Sequence, residues 1–204
     1  MALVEVKIPT PGEMRGGWAA HAAVYNAYGW DDSLYATEDL WFFHDGGGNW
    51  ACIRFLGKNK AVLFGHDHEY SEAFFRDTAK DFGFEETDLL KDAPSWWGDA
   101  IEPSPYGPYI GFIYGWDGTT WQRADYSEND GFTKVGLLDM IKLKGPNSIS
   151  DAIKHFERTV VEQDLEALVA ADGAITKDLL EAVMPGYNIE LGVEAANRFL
   201  LAEL

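Results

Sequence analysis

From Ala2 to Ile8 the chain alternates, with Val4, Val6 and Ile8 on one side and Leu3, Glu5 and Lys7 on the other. This is the two-residue period of a strand, and Pro9-Thr10-Pro11-Gly12 stops it. The Ala-rich run Trp18 to Tyr28 ends at Gly29, where a helix C-cap favours glycine, so a short helix is predicted with Trp18, Ala22 and Tyr25 along one side. His21 falls one turn before Tyr25. Three aromatic and β-branched runs follow, Asp39 to His44, Trp50 to Leu56 and Ala61 to Phe64, separated by the turns Asp45-Gly-Gly-Gly-Asn49 and Gly57-Lys-Asn-Lys60. They predict a three-strand antiparallel meander. After the turn Gly65 to Glu69, a helix is expected over Ser71 to Asp81, with Ser71 as N-cap and Ala73, Phe74, Phe75 and Thr78 facing inward.

Residues 83–107 read as an irregular acidic segment with one turn of helix, since Pro94, Pro103, Pro105 and Pro108 interrupt any long element. Leu89, Leu90, Trp96, Trp97 and Ile101 argue that it packs down. Tyr109 to Gly115 and Thr120 to Ala124 flank an Asp117-Gly118 turn, which predicts a second hairpin. From Asn147 the period changes. Ser148 and Asp151 form a capping signal, and Ile153, Phe156, Val160, Val161, Leu165 and Leu168 mark an amphipathic helix before Gly173. Thr176 starts another that ends at Pro185-Gly186, and Asn188 starts a last one carrying Leu191, Ala195, Phe199 and Leu200. Strands first and helices last point to an α+β fold, an antiparallel meander and hairpin sheet with helices packed on it and a C-terminal helical segment. A single domain over residues 1–204 is expected, mainly strands with short helices over 1–145 and helical over 146–204.

Composition adds order and location. With 47% hydrophobic residues, 14% aromatic residues and 8 Trp, the chain is far from the composition of disordered segments. It has no run of about 18 apolar residues and no basic, apolar leader at Met1-Ala-Leu-Val-Glu-Val-Lys7, so a cytoplasmic protein without membrane association is expected. The net charge of −18 is concentrated between Asp67 and Asp130, where 15 acids face 4 bases, a net of −11. Such a field repels nucleic acid and attracts a basic protein; it also serves solubility.

Candidate chemistry is sparse. His66 and His68, two apart on an extended segment, would point to one side as a divalent-metal pair requires, with His44 as a third imidazole. Cys52, between Ala51 and Ile53, reads as a small buried hydrophobe. The glycine turn lacks the Lys and Ser/Thr of a phosphate-binding loop, and no nucleophile elbow or zinc-protease motif occurs. The pairs Asp31-Asp32 and Glu85-Glu86 suit a glycosidase on paper and are ordinary in so acidic a chain. Trp96 and Trp97, amid Asp92, Asp99 and Glu102 and extended by Tyr106 and Trp116, have the make-up of an interface for a basic partner.

The runs Trp41-Phe-Phe-His-Asp-Gly-Gly-Gly-Asn-Trp50 and Phe64-Gly-His-Asp-His-Glu-Tyr-Ser71 resemble those of uncharacterised bacterial, especially actinobacterial, proteins that accompany secreted polymorphic toxins as immunity factors. The resemblance implies a cytosolic inhibitor that covers a toxin's active site with an acidic face; it carries no functional residue with it. Two functions are therefore expected: an acidic immunity protein that neutralises a basic toxin domain and needs no cofactor, or a metal-dependent hydrolase centred on His66 and His68.

Overall fold

A computed structural model describes residues 3–57, 59–159 and 161–204. Its strands are antiparallel and its helices numerous, an α+β fold. The chain gathers into two compact units, each discontinuous in sequence: Met1–Ile8, His44–Val135 and Leu204 in unit 1, Pro9–Phe43 and Gly136–Glu203 in unit 2.

Unit 1 holds strands β1 (Val4–Val6), β4 (Trp50–Phe55), β5 (Ala61–His66), β6 (Phe112–Trp116) and β7 (Trp121–Arg123), in the spatial order β1-β7-β6-β5-β4. β5 is buried along its whole length, with Cys52 opposite Phe64 and Ile53 opposite Leu63 across the β4–β5 ladder. The turn ahead of β4 closes through Asp45, whose backbone N–H donates to the Asn49 carbonyl and whose Oδ1 accepts from the N–H of Gly47 and Asn49. The β6–β7 hairpin turns as its Asp-Gly signal demands: Asp117 Oδ1 accepts from Thr119 and Thr120, and Gly118 takes φ 96°. Trp116 belongs to β6, paired with Trp121, rather than to the turn.

The structure corrects three expectations here. β1 is shorter than the alternation suggested; Met1 and Ala2, like Lys58 of the second turn, lie outside the described residues. β5 continues through His66, so the turn begins at Asp67. No helix starts at Ser71, whose hydroxyl donates to the Ala73 carbonyl. Arg76 adopts a left-handed φ of 57°, which no helix tolerates, and only α2 (Thr78–Phe82) forms beyond it. Ala73, Phe74, Phe75 and Thr78 are nevertheless buried as the pattern required. The single turn expected in the proline-rich segment is α3 (Ser95–Ala100).

Unit 2 is organised around α1 (Pro11–Tyr28). It begins at Pro11 rather than near Trp18, because Thr10 and Glu13 form a reciprocal capping box and Pro11 occupies the first turn, where its missing N–H costs nothing. Gly29 closes it in the left-handed conformation, as predicted. The hairpin of β2 (Leu34–Ala36) and β3 (Leu40–His44) pairs Leu34 with Phe43 and Ala36 with Trp41; β2 carries too few residues for its period to show. The remaining helices are α4 (Leu137–Met140), α5 (Ile149–His155), α6 (Glu162–Ala170), α7 (Lys177–Val183) and α8 (Ile189–Asn197), followed by a 3-10 turn over Arg198–Leu200. Thr176 and Asn188 cap α7 and α8 by accepting from the N–H of Leu179 and Leu191. The long helix expected before Gly173 is two. Glu157 at φ 59° ends the first, Val161 is 53% exposed at the head of the second, and Val160 lies outside the described residues. Trp18, Trp41 and Phe199 form the aromatic centre of the unit, with ring centroids 5.2 to 6.4 Å apart. No helix among the described residues is long and apolar enough to cross a membrane.

Candidate functional site

All the residues singled out from the sequence for partner or metal binding fall in unit 1. The aromatic interface does not assemble as its composition suggested. Trp97 is 1% exposed and Trp116 9%. The indole of Trp97 lies over Gly115 so closely that a Cβ there would come within 2.0 Å of it, so Trp97 is an interior residue held by the absence of a side chain on β6. Trp96, on the other side of the same turn of helix, is half-buried with the Lys60 ammonium 5.5 Å from its ring. Asp92 and Asp99 are exposed, and Glu102 forms an exposed ion pair with Arg76. Tyr106 is 42% exposed and stacks on His44 at 5.0 Å. Arg54 positions this segment from β4 by donating to the carbonyls of Ala100, Glu102 and Pro103.

The three histidines do not gather as metal ligands. His66 is the last residue of β5, so the extended stretch that would have set His68 on the same side ends one residue too early. Asp67, 1% exposed, is committed to the turn, its Oδ1 accepting from the N–H of Glu69 and Tyr70. His68 is exposed and its backbone donates to Asn49 Oδ1. His44 Nδ1 accepts from the Gly46 N–H. Among the described residues no three His, Cys, Asp or Glu come together to hold a metal ion. Burial holds the His66 imidazole below the ordinary histidine range, the neighbouring His68 adds to this, and Asp67 opposes it. Cys52 is fully buried, and burial pushes its thiol well up, away from nucleophilic use.

His66 and His68 do share one hollow, of about 400 Å³, with Ser71, Glu72, Phe74, Phe82 and Phe84. Its aromatic wall is layered: Phe74, 7% exposed, stacks on Phe84 with centroids 4.7 Å apart and an interplanar angle of 5°, and lies 5.2 Å from Phe82. Phe82 and Phe84 are themselves 48% and 59% exposed. Gly83 produces this display. Its left-handed φ of 72° closes α2 and reverses the chain, after which Phe84 N–H donates back to Ala79 and Thr87 N–H to Phe74. Tyr109 continues the cluster, 5.5 Å from Phe82 and 6.1 Å from His66.

Acidic residues flank these rings in the chain, and Glu72 lines the hollow. Glu69, Glu72, Asp81, Glu85 and Glu86 are exposed, while the nearby cations are engaged, Lys80 with Asp77 and Arg76 with Glu102. A second, open hollow of about 460 Å³ is lined by Glu86, Asp88, Asp125 and Glu128 together with Lys91, Thr87, Tyr126 and Ser127. Sequence reasoning did not single out these exposed aromatics; the available signal was Phe82-Gly83-Phe84, two phenylalanines around a glycine in an acidic stretch. No family model, curated protein or solved structure matches the chain.

Proposed function

We propose that this chain is an acidic binding protein that captures a basic protein on unit 1, and that the partner is a toxin domain neutralised by occlusion of its active site. The observation that carries the reading is the exposed pair Phe82 and Phe84, layered with Phe74 beside a hollow that Glu72 also lines, with Glu69, Asp81, Glu85 and Glu86 exposed nearby in the chain. Exposed aromatics give up water on contact, and unpaired acids select positive charge; together they favour a surface rich in Arg and Lys. The net of −11 between Asp67 and Asp130 supports the same reading at longer range, by steering. The toxin assignment rests on the resemblance of residues 41–71 to immunity factors.

The test is affinity capture from the source organism at moderate salt, with the wild type beside Phe84→Ala and the Phe82→Ala, Phe84→Ala double variant. Recovery of one basic protein whose yield falls with each substitution and with added salt supports the reading. Recovery that ignores both contradicts it.

A further inference from the structure

Unit 2 holds a second pocket that the reading above does not use. It encloses about 190 Å³ and is lined by Tyr25, Trp30, Asn147, Ser148, Asp151, Ala152, His155 and Phe156. Tyr25 comes from the last turn of α1, Trp30 from just beyond its Gly29 cap, and Asp151 and Phe156 from α5 and its end. The rings of Tyr25, Trp30 and Phe156 stand nearly perpendicular to one another: 82° for Tyr25 and Trp30, 76° for Trp30 and Phe156, 82° for Tyr25 and Phe156. Their centroids are 5.6, 5.1 and 6.0 Å apart in the same order. Phe156 is 3% exposed and its ring stacks on Tyr28 with centroids 4.0 Å apart, so it backs the other two, and Tyr25 and Trp30 are the rings that a guest in the pocket meets, within the roughly 6 Å range of a cation–π contact.

Two features make this more than ring packing. Trp30 lines the pocket and remains 40% exposed although it touches Tyr25, Tyr28, His155 and Phe156, so the cluster does not close over it. Asp151 adds a carboxylate to a lining in which three aromatic rings stand beside Asn147, Ser148, Ala152 and His155. Its Oδ2 accepts from the Asn147 N–H, which fixes the side chain against the pocket. Aromatic rings with one fixed carboxylate are complementary to a cation that is apolar on its outside, and poorly complementary to an anion.

We infer that this pocket binds a quaternary ammonium group of small-molecule size. Tyr25 and Trp30, backed by Phe156, hold its methyl groups and Asp151 balances its charge. Trp30 and Asp151 are the residues to change. Isothermal titration calorimetry of the full chain with choline chloride, at constant ionic strength, is expected to give saturable one-site binding. The uncharged analogue of choline, with tert-butyl in place of trimethylammonium, is expected to bind roughly tenfold or more weakly. Asp151→Asn retains an acceptor for Asn147 and is expected to weaken choline alone. Trp30→Phe keeps a ring and reduces affinity; Trp30→Ala, checked for folding by circular dichroism, abolishes it. The inference is overturned if choline shows no saturable binding, if the neutral analogue binds as tightly, or if Asp151→Asn and Trp30→Phe both bind as the wild type does.

Discussion

Gly115 carries no side chain because the Trp97 indole occupies the place where one would stand, with Cε2 2.0 Å from an ideal Cβ. Gly115→Ala must therefore displace a buried ring or bend β6. A loss of about 1–3 kcal/mol is expected, the usual cost of overpacking a core, read as a lower urea midpoint at unchanged slope. A variant as stable as the wild type would show that Trp97 is not seated there. His21 makes a sharper prediction. It is fully buried, its Nδ1 lies 3.3 Å from the Gly17 carbonyl, and burial holds its pKa at about 4 against an ordinary 6.5. Between those values the unfolded chain binds a proton that the folded chain refuses, so this contribution is whole above pH 6.5 and is lost as pH falls toward 4. The loss is on the order of 3 kcal/mol. Unfolding midpoints measured across that window should fall less steeply in His21→Gln than in the wild type; parallel curves would show that His21 is accessible to protons. From sequence His21 could be placed only one turn before Tyr25, because one imidazole on an Ala-rich face carries no signal of depth. Trp97 and Trp116 misled for a related reason: aromatic residues among acids look alike whether they face the acids or the core, and only the empty place at Gly115 decides between them.

At the scale of elements, chain termini of helices were the most legible features where polar caps were free to act. Thr176, Asn188 and Gly29 each stand where their chemistry predicted. The capping signal at Ser148 did not act through its hydroxyl, which donates to the Gly145 carbonyl while Asp151 accepts from Asn147 instead. The breaks at Arg76 and Glu157 could not be foreseen, since both are non-glycine residues placed in the left-handed region by their surroundings. α1 was underestimated because its prediction rested on the Ala-rich run from Trp18 onward, which leaves out Gly12, Gly16 and Gly17. In the fold Gly16 and Gly17 admit close neighbours instead, the Val169 carbonyl at 2.5 Å and Ile141 Cα at 2.6 Å from the positions a Cβ would take. The start of α1 at Pro11 then depends on its capping box. Thr10→Ala is expected to lower stability by about 1 kcal/mol and Thr10→Ser to change it little, measured by urea unfolding. Equal losses in the two variants would assign the effect to something other than the cap.

For the molecule as a whole, acidity and aromatic content were plain in the sequence, and the proposed class of partner rests on them. The location of the contact was not, because it depends on which rings the chain leaves in water. Phe82 and Phe84 stay there because the Gly83 reversal holds them out, while Trp97 sits on Gly115 in the interior. Those two phenylalanines, beside the His66 and His68 hollow and within the acid-rich stretch, form the surface to which binding is assigned. The most direct measurement is amide hydrogen exchange of the wild type with and without its captured basic partner. Protection concentrated over residues 66–86 and lost in the Phe82→Ala, Phe84→Ala variant is the predicted result. Protection elsewhere, or none at a partner concentration that saturates capture, would contradict the account.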